Sequence, residues 1–204
     1  MGNIEIPLVG LMVEESIPLE ILEEVFAELR AIQVVPSLTR TNLGPQATLE
    51  LYIPTAICLF VAKPFFYAFL KKAGEDAYIG LKSALARLCQ RSSKFKTTIV
   101  TRSPEKINLD SAYSRVFSII SKTRDGATVK FLMPAVVSSA ESAAIMDSLF
   151  KLIGEHHSGN QPNRLDGILR PAGGITLMYL VAYSLESATW ELINPFLPPS
   201  SSGP

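Results

Sequence analysis

The most apolar part of the chain reads IPTAICLFVAKPFFYAFL, from Ile53 to Leu70. Its length of about 18 residues is the lower limit for a helix that crosses a bilayer. However, Lys63 lies near its centre and Pro54 and Pro64 interrupt it, and these residues oppose a membrane-spanning helix. We therefore expect a helix that begins after Pro54, breaks or kinks at Pro64 and forms the hydrophobic spine of a soluble fold.

The composition departs from that of an average soluble domain in the direction of burial. Hydrophobic residues make up 48% of the chain without glycine, and charged residues make up 19%. In an average domain, hydrophobic residues make up about 45–50% with glycine included, and charged residues make up about 25%. A monomer has little use for this surplus, which indicates a subunit interface, a partner surface or contact with lipid. Self-association is the commonest of these uses, so we expect a homo-oligomer or another protein partner.

The length of 204 residues fits one domain with a substantial hydrophobic core. We place this domain at residues 1–195, with 1–92 and 93–195 as two similar halves in one alternative. Residues 196–204 are rich in serine and proline, which is typical of a disordered tail.

The cellular location expected from the sequence is the cytoplasm. The amino terminus carries Glu5, Glu14 and Glu15 where a secretory signal is apolar. The two cysteines of the chain, Cys58 and Cys89, are too far apart for a Cys-x-x-Cys pair and do not have the spacing of a metal site. We expect Cys58 to be a small buried hydrophobic residue.

Charge is segregated along the chain, although the formal net charge is zero. Residues 1–62 contain eight acids and two bases, whereas residues 63–102 contain nine bases and two acids. Two such segments most simply neutralise each other, within a subunit or between subunits. The alternative is that the basic segment binds phosphate, and we favour neutralisation.

The first half of the chain is predicted to contain strands at Ile4–Val13, Gln33–Thr39 and Ala47–Ile53. Ser16 is a suitable N-cap for an amphipathic helix that follows the first strand. Acidic residues occupy the polar face of that helix, namely Glu20, Glu23, Glu24 and Glu28. A second helix follows Gly74, with apolar residues three and four positions apart at Tyr78, Leu81, Leu85 and Leu88.

The second half is predicted to begin with a strand at Phe95–Arg102. Arg115–Thr123 and Ala127–Met133 are rich in β-branched and aromatic residues and flank Asp125-Gly126. An Asp-Gly pair between such segments indicates a β-hairpin.

A helix and a closing hairpin are predicted to follow. Ser138 and Glu141 have the spacing of a capping box, which predicts a helix that ends near Glu155. Ile175–Tyr183 and Thr189–Ile193 are expected to pair as a hairpin, and a helix is the alternative for this region. The predicted fold is therefore α+β, with an antiparallel or mixed sheet covered by three to four helices.

The only histidines are adjacent, at His156 and His157. Neighbouring side chains on a helix point in different directions, so these two cannot bind one metal ion together from a regular turn. A solvated helix end is the favoured interpretation, and a general base is the alternative. We expect no metal site and no cofactor.

A loop-like segment runs from Ser158 to Gly174 and contains Arg170, Gly173 and Gly174. Backbone amides and one guanidinium group are able to bind an anion there, but the segment matches neither the P-loop nor the dinucleotide-binding fingerprint. We favour a plain turn over this anion site.

The basic segment provides the strongest polar feature of the sequence. Its candidate phosphate-binding residues are Lys82, Arg87, Arg91, Lys94 and Lys96. No nucleic-acid-binding motif accompanies them and the net charge is zero, so nucleic acid is not an expected partner.

The function predicted from these patterns is a non-enzymatic interaction or assembly module that associates with itself. Its apolar interaction surface is expected to include Phe60, Phe65, Phe66, Tyr67 and Phe69. One alternative is a protein or enzyme that binds a small molecule or an anion through residues 170–174. The other is a protein that contacts a membrane through residues 53–70 without crossing it.

Overall fold

The computed structural model describes residues 9–15, 20–31, 36–41, 55, 57–61, 74–92, 113–159, 163–170 and 178–193. These residues form seven strands and four helices, a mixed α+β architecture that confirms the predicted fold class. The strands are β1 (Val9–Glu14), β2 (Ser37–Thr41), β3 (Ile57–Val61), β4 (Tyr113–Lys122), β5 (Thr128–Pro134), β6 (Met178–Ser184) and β7 (Thr189–Ile193). The helices are α1 (Glu20–Ala31), α2 (Gly74–Ser92), α3 (Ser139–Ser158) and α4 (Arg164–Leu169).

The described strands form one mixed sheet in the order β2-β1-β3-β4-β5-β6-β7. The pairs β1/β2, β3/β4 and β5/β6 are parallel, and a helix lies in the connection between the two strands of each pair. The pairs β1/β3, β4/β5 and β6/β7 are antiparallel. Strands β2 and β7 are therefore the two edges of this sheet.

The apolar stretch that begins at Ile53 is a strand where the structure describes it, so the predicted helix is wrong for Ile57–Val61. Strand β3 lies between β1 and β4, and four of its five residues are buried. A strand covered on both faces has a continuous apolar run, which periodicity alone cannot distinguish from a buried helix. Residues 62–70 lie outside the described part of the chain.

One large hydrophobic cluster joins one face of the sheet to α1, α2 and α3. Leu11 of β1 and Leu85 of α2 belong to it, whereas Met12 faces the other side and is partly exposed. Burial of each such leucine stabilises the fold by about 1.5–3 kcal/mol. A smaller cluster on the opposite face contains Leu132, Leu180 and Ala182.

The capping box at the start of α3 is confirmed. The Ser138 Oγ accepts a hydrogen bond from the Glu141 N–H at 3.2 Å, and the Glu141 carboxylate accepts one from the Ser138 N–H at 2.7 Å. The helix ends at Gly159, whose φ of 80° is left-handed. This conformation is unfavourable for residues with a Cβ, so glycine suits the position.

Both predicted hairpins are confirmed in their described residues. Strands β4 and β5 pair across a turn in which Gly126 has a φ of 92°, and β6 pairs with β7 in antiparallel register. The prediction of a loop over residues 158–174 is wrong for α4, which Asn163 caps through its side-chain oxygen. The predicted strands at 47–53 and 95–102 and the tail at 196–204 lie outside the described residues.

Candidate functional site

Among the residues that the structure describes, β2 is the more exposed of the two edge strands of the sheet. Four of its five residues are exposed, and Leu38 retains 41% of its surface. Met12 of β1, opposite Thr39 in the register, is 38% exposed. The other edge is better protected, because Trp190 of β7 is buried and α4 packs against β7. An exposed edge strand is a template for pairing with another chain.

The orientation of the β2 backbone follows from one hydrogen bond. The Glu15 N–H donates to the Thr41 carbonyl at 3.1 Å, so this carbonyl points toward β1. Backbone groups of successive residues in a strand point to opposite sides, so the N–H and C=O of Leu38 point away from β1. Leu38 therefore directs one donor and one acceptor to the outside of the sheet.

Phe60 is the one residue of the predicted interaction surface that the structure describes. It is half-buried on β3 and lies opposite Gly10 of β1 in the register. A Cβ at Gly10 would lie 3.7 Å from the Phe60 Cβ and 3.3 Å from the Ser37 Oγ, so glycine permits a close approach of three strands here. Phe65, Phe66, Tyr67 and Phe69 lie outside the described residues.

The described residues of the predicted basic patch lie on α2 and differ in their exposure and contacts. Lys82 forms a salt bridge with Asp147 of α3, and its ammonium group lies 5.1 Å from the centre of the Tyr78 ring. Arg87 is exposed and Arg91 is half-buried. Lys94 and Lys96 are not among the described residues. The contacts of Lys82 thus join two helices of the same chain.

The predicted anion loop is described only at its first residue. Arg170 is exposed and follows the last turn of α4, where its backbone N–H donates to the Asp166 carbonyl. Gly173 and Gly174 lie outside the described residues, so the anion site stays a prediction.

His156 and His157 are buried, and the prediction of a solvated helix end is wrong for both. Each retains 2% of its surface. The sequence alone missed this burial because the turn that covers the helix end comes from Arg124, more than thirty residues earlier. Asn163 and Asp166 approach the same ring from α4 and its cap.

The contacts of His156 define its protonation state. Its Nε2 accepts a hydrogen bond from the Arg124 N–H at 3.0 Å, so Nε2 carries no proton. In the neutral ring the proton then resides on Nδ1 and is directed at the Asp166 carboxylate, 3.1 Å away. Burial holds the pKa of His156 below its ordinary value, and the Arg124 guanidinium lowers it further, against the opposing charge of Asp166.

This histidine resembles the base of a catalytic dyad, but its geometry is that of a structural connection. A general base needs one ring nitrogen directed at a substrate proton. In His156 the Nε2 is occupied by a backbone N–H and the Nδ1 faces Asp166. The ring joins the β4–β5 turn, α3 and α4 to one another.

A buried group of polar residues, which the sequence did not predict, lies on the face of the sheet opposite to the one that packs against α1, α2 and α3. Thr55 and Ser118 share a hydrogen bond of 2.6 Å, and Ser118 also bonds the Cys58 thiol. Lys130 lies in the same face with 1% of its surface exposed. The signal in the sequence was a lysine inside the apolar strand Thr128–Pro134, where its register partners Ile120 and Leu180 are apolar.

Burial governs the chemistry of this polar group. It lowers the pKa of Lys130 to about 8, and it raises the pKa of the Cys58 thiol, which the Lys130 charge and the Ser118 bond partly oppose. A thiol with a raised pKa is a poor nucleophile. Cys89 is likewise buried, with a pKa raised to about 12.

In the part of the chain that the structure describes, no three His, Cys, Asp or Glu side chains are grouped closely enough to hold a metal ion. Within the same residues, no helix combines the length and apolar character needed to cross a bilayer.

Comparison with known proteins gives no relative for this chain. No family model, curated protein or solved structure matches it.

Proposed function

We propose that the protein is a non-enzymatic assembly module that associates with itself through the β2 edge of its sheet. The observation that carries the proposal is the exposure of β2, where Ser37, Leu38, Thr39 and Arg40 are all exposed at the end of a seven-stranded sheet. Exposed edges promote pairing with other chains, because their outer row of backbone groups is accessible to a partner strand.

Apolar surface supports the same location. Leu38 and Met12 are two of the exposed large hydrophobic residues in the described chain, and they lie on adjacent strands. Because Leu38 is opposite Leu11 in the register and Met12 is opposite Thr39, their side chains project from opposite faces of the same edge. A partner strand at this edge would cover part of Leu38, which lies on the edge strand itself.

The charge pattern favours neutralisation within the chain. Helix α1 exposes Glu20 and Glu23 and packs against α2, which carries Lys82, Arg87 and Arg91. Neighbouring helices of opposite charge attract each other without a second subunit. We therefore assign the self-association to strand pairing and not to attraction between the acidic and basic segments.

The wider proposal retains three predictions from the sequence. The aromatic residues at 60–69 contribute to the interaction surface, the location is cytoplasmic, and the sheet is covered by three to four helices in two similar halves. Cys58 and Cys89 are buried and form no disulfide, which agrees with a reducing compartment. The pairing of β3 with β4 makes the sheet continuous across the boundary between the halves.

Analytical ultracentrifugation of the full chain tests the proposal. We expect the wild type to sediment as a dimer or larger species at micromolar concentration in moderate salt. Leu38→Lys places a charge in the edge and is expected to give a monomer. The matched control is Ile79→Lys, because Ile79 is 49% exposed on α2, away from the edge. A monomeric wild type overturns the proposal, as does an oligomer that Leu38→Lys leaves intact.

A further inference from the structure

We infer that the partner strand is β2 of a second copy, paired antiparallel about a two-fold axis that passes beside Leu38. This inference rests on the proposed self-association and adds its symmetry and register. A two-fold contact uses the same patch of both subunits, so the strand must be complementary to itself. The strand that must meet this requirement has five residues, Ser37–Thr41.

The backbone of Leu38 meets the requirement for a residue on the axis. The Thr41 carbonyl accepts from Glu15, so alternate residues direct their backbone groups toward β1 and Leu38 directs its own outward. In an antiparallel pair, two residues that face each other in this way exchange both N–H···O bonds. Leu38 and its copy would therefore form a reciprocal pair of hydrogen bonds across the axis.

The side chains favour this register over its two neighbours. With Leu38 on the axis, the two exposed leucines face each other and Ser37 faces Thr39 of the second copy. Apolar pairs and hydroxyl pairs at such facing positions stabilise a sheet. An axis at Arg40 would place two like charges opposite each other, which is destabilising. An axis at Thr39 would place the apolar Leu38 opposite the charged Arg40.

The protection of the β7 edge also favours a two-fold contact over an open chain of subunits. Pairing of β2 with β7 of another copy would be heterologous and would leave one edge of each type open at the ends of a filament. Strand β7 contacts α4, and its Trp190 is buried. Pairing of β2 with β2 covers the exposed β2 edge of both subunits at once, so the assembly ends at a dimer.

Disulfide trapping tests the register. Leu38→Cys, Thr39→Cys and Arg40→Cys are prepared in the full chain, oxidised mildly and separated on non-reducing gels. With Leu38 on the axis, the Cα atoms of residue 38 in the two subunits lie about 5.5 Å apart, which is within the range of a disulfide. The Thr39 and Arg40 pairs lie beyond that range, since diagonal neighbours are about 7–8 Å apart or more. The wild type is a matched control because Cys58 and Cys89 are buried.

We expect covalent dimers from Leu38→Cys alone, and sedimentation under reducing conditions shows whether each variant still associates. Dimers trapped at Thr39 or Arg40 and not at Leu38 would overturn the register and leave the proposed function standing. An oligomer that no variant traps would overturn the strand pairing. A monomeric wild type in sedimentation would remove both proposals.

Discussion

The Nε2 of His156 lies 3.0 Å from the backbone nitrogen of Arg124 and accepts its hydrogen bond. Through this contact the last turns of α3 hold the turn between β4 and β5. Because a protonated Nε2 cannot accept a hydrogen bond, the contact requires a neutral imidazole. Protonation of one buried ring would therefore release a turn that the sequence places far from the helix.

Stability is expected to fall at acidic pH because of His156. Its pKa in the folded protein is lowered, chiefly by burial, below that of the unfolded chain. The unfolded state then binds more protons as the pH falls, so the stabilisation is complete above about pH 6.5 and is lost as the pH approaches the folded pKa. Urea unfolding between pH 5 and 7.5, followed by Trp190 fluorescence, measures the slope.

The matched variant for this prediction is His156→Gln, which has no titratable group at this position. Its stability should depend less on pH over the same interval, and the difference from the wild type should be largest above pH 6.5. An identical pH dependence in both proteins would show that His156 does not contribute. At neutral pH the loss of the bond to Arg124 is expected to cost about 1–3 kcal/mol.

Ser138→Ala is expected to lower the free energy of unfolding by about 1 kcal/mol. The substitution removes the acceptor for the Glu141 N–H at the start of α3. Ser139→Ala is the control, because Ser139 is exposed and its contact with Ser142 uses only the backbone carbonyl. Chemical unfolding of both variants gives the comparison. Equal losses of stability would contradict the role of the cap.

Lys130→Met should change the dependence of stability on alkaline pH. Burial lowers the pKa of Lys130 to about 8 in the folded protein, below the value of 10.5 for an exposed lysine. The wild type therefore gains stability relative to the variant as the pH rises from about 8 to 10.5, by up to about 3 kcal/mol. Parallel urea titrations of both proteins over this interval measure the difference. A constant difference would show that Lys130 titrates normally.

The salt bridge between Lys82 and Asp147 is expected to contribute little to stability. Asp147 is 59% exposed, and ion pairs near water are worth about 0.2–1 kcal/mol. A double-mutant cycle with Lys82→Met and Asp147→Asn isolates the interaction of the two side chains, and added salt should weaken it. A coupling energy of several kcal/mol would indicate that the pair is desolvated.

Local patterns were sufficient for the elements whose signals lie within a few residues. The Asp125-Gly126 turn and the capping box of Ser138 and Glu141 are examples, because a left-handed turn and an unpaired helix end each require particular residues nearby. The same reasoning identified α1, α2 and the closing hairpin, in which hydrophobic spacing reflects one buried side of each element.

The sequence by itself therefore determined the α+β class and most of the described elements, since these depend on short-range spacing. Only the tertiary structure decided that Ile57–Val61 is a central strand, that His156 is buried and that Leu38 lies at an exposed edge. Each of these properties depends on which distant segment lies beside the residue. A run of apolar side chains is compatible with a helix or a strand until its neighbours are known, and exposure is a property of the assembled sheet.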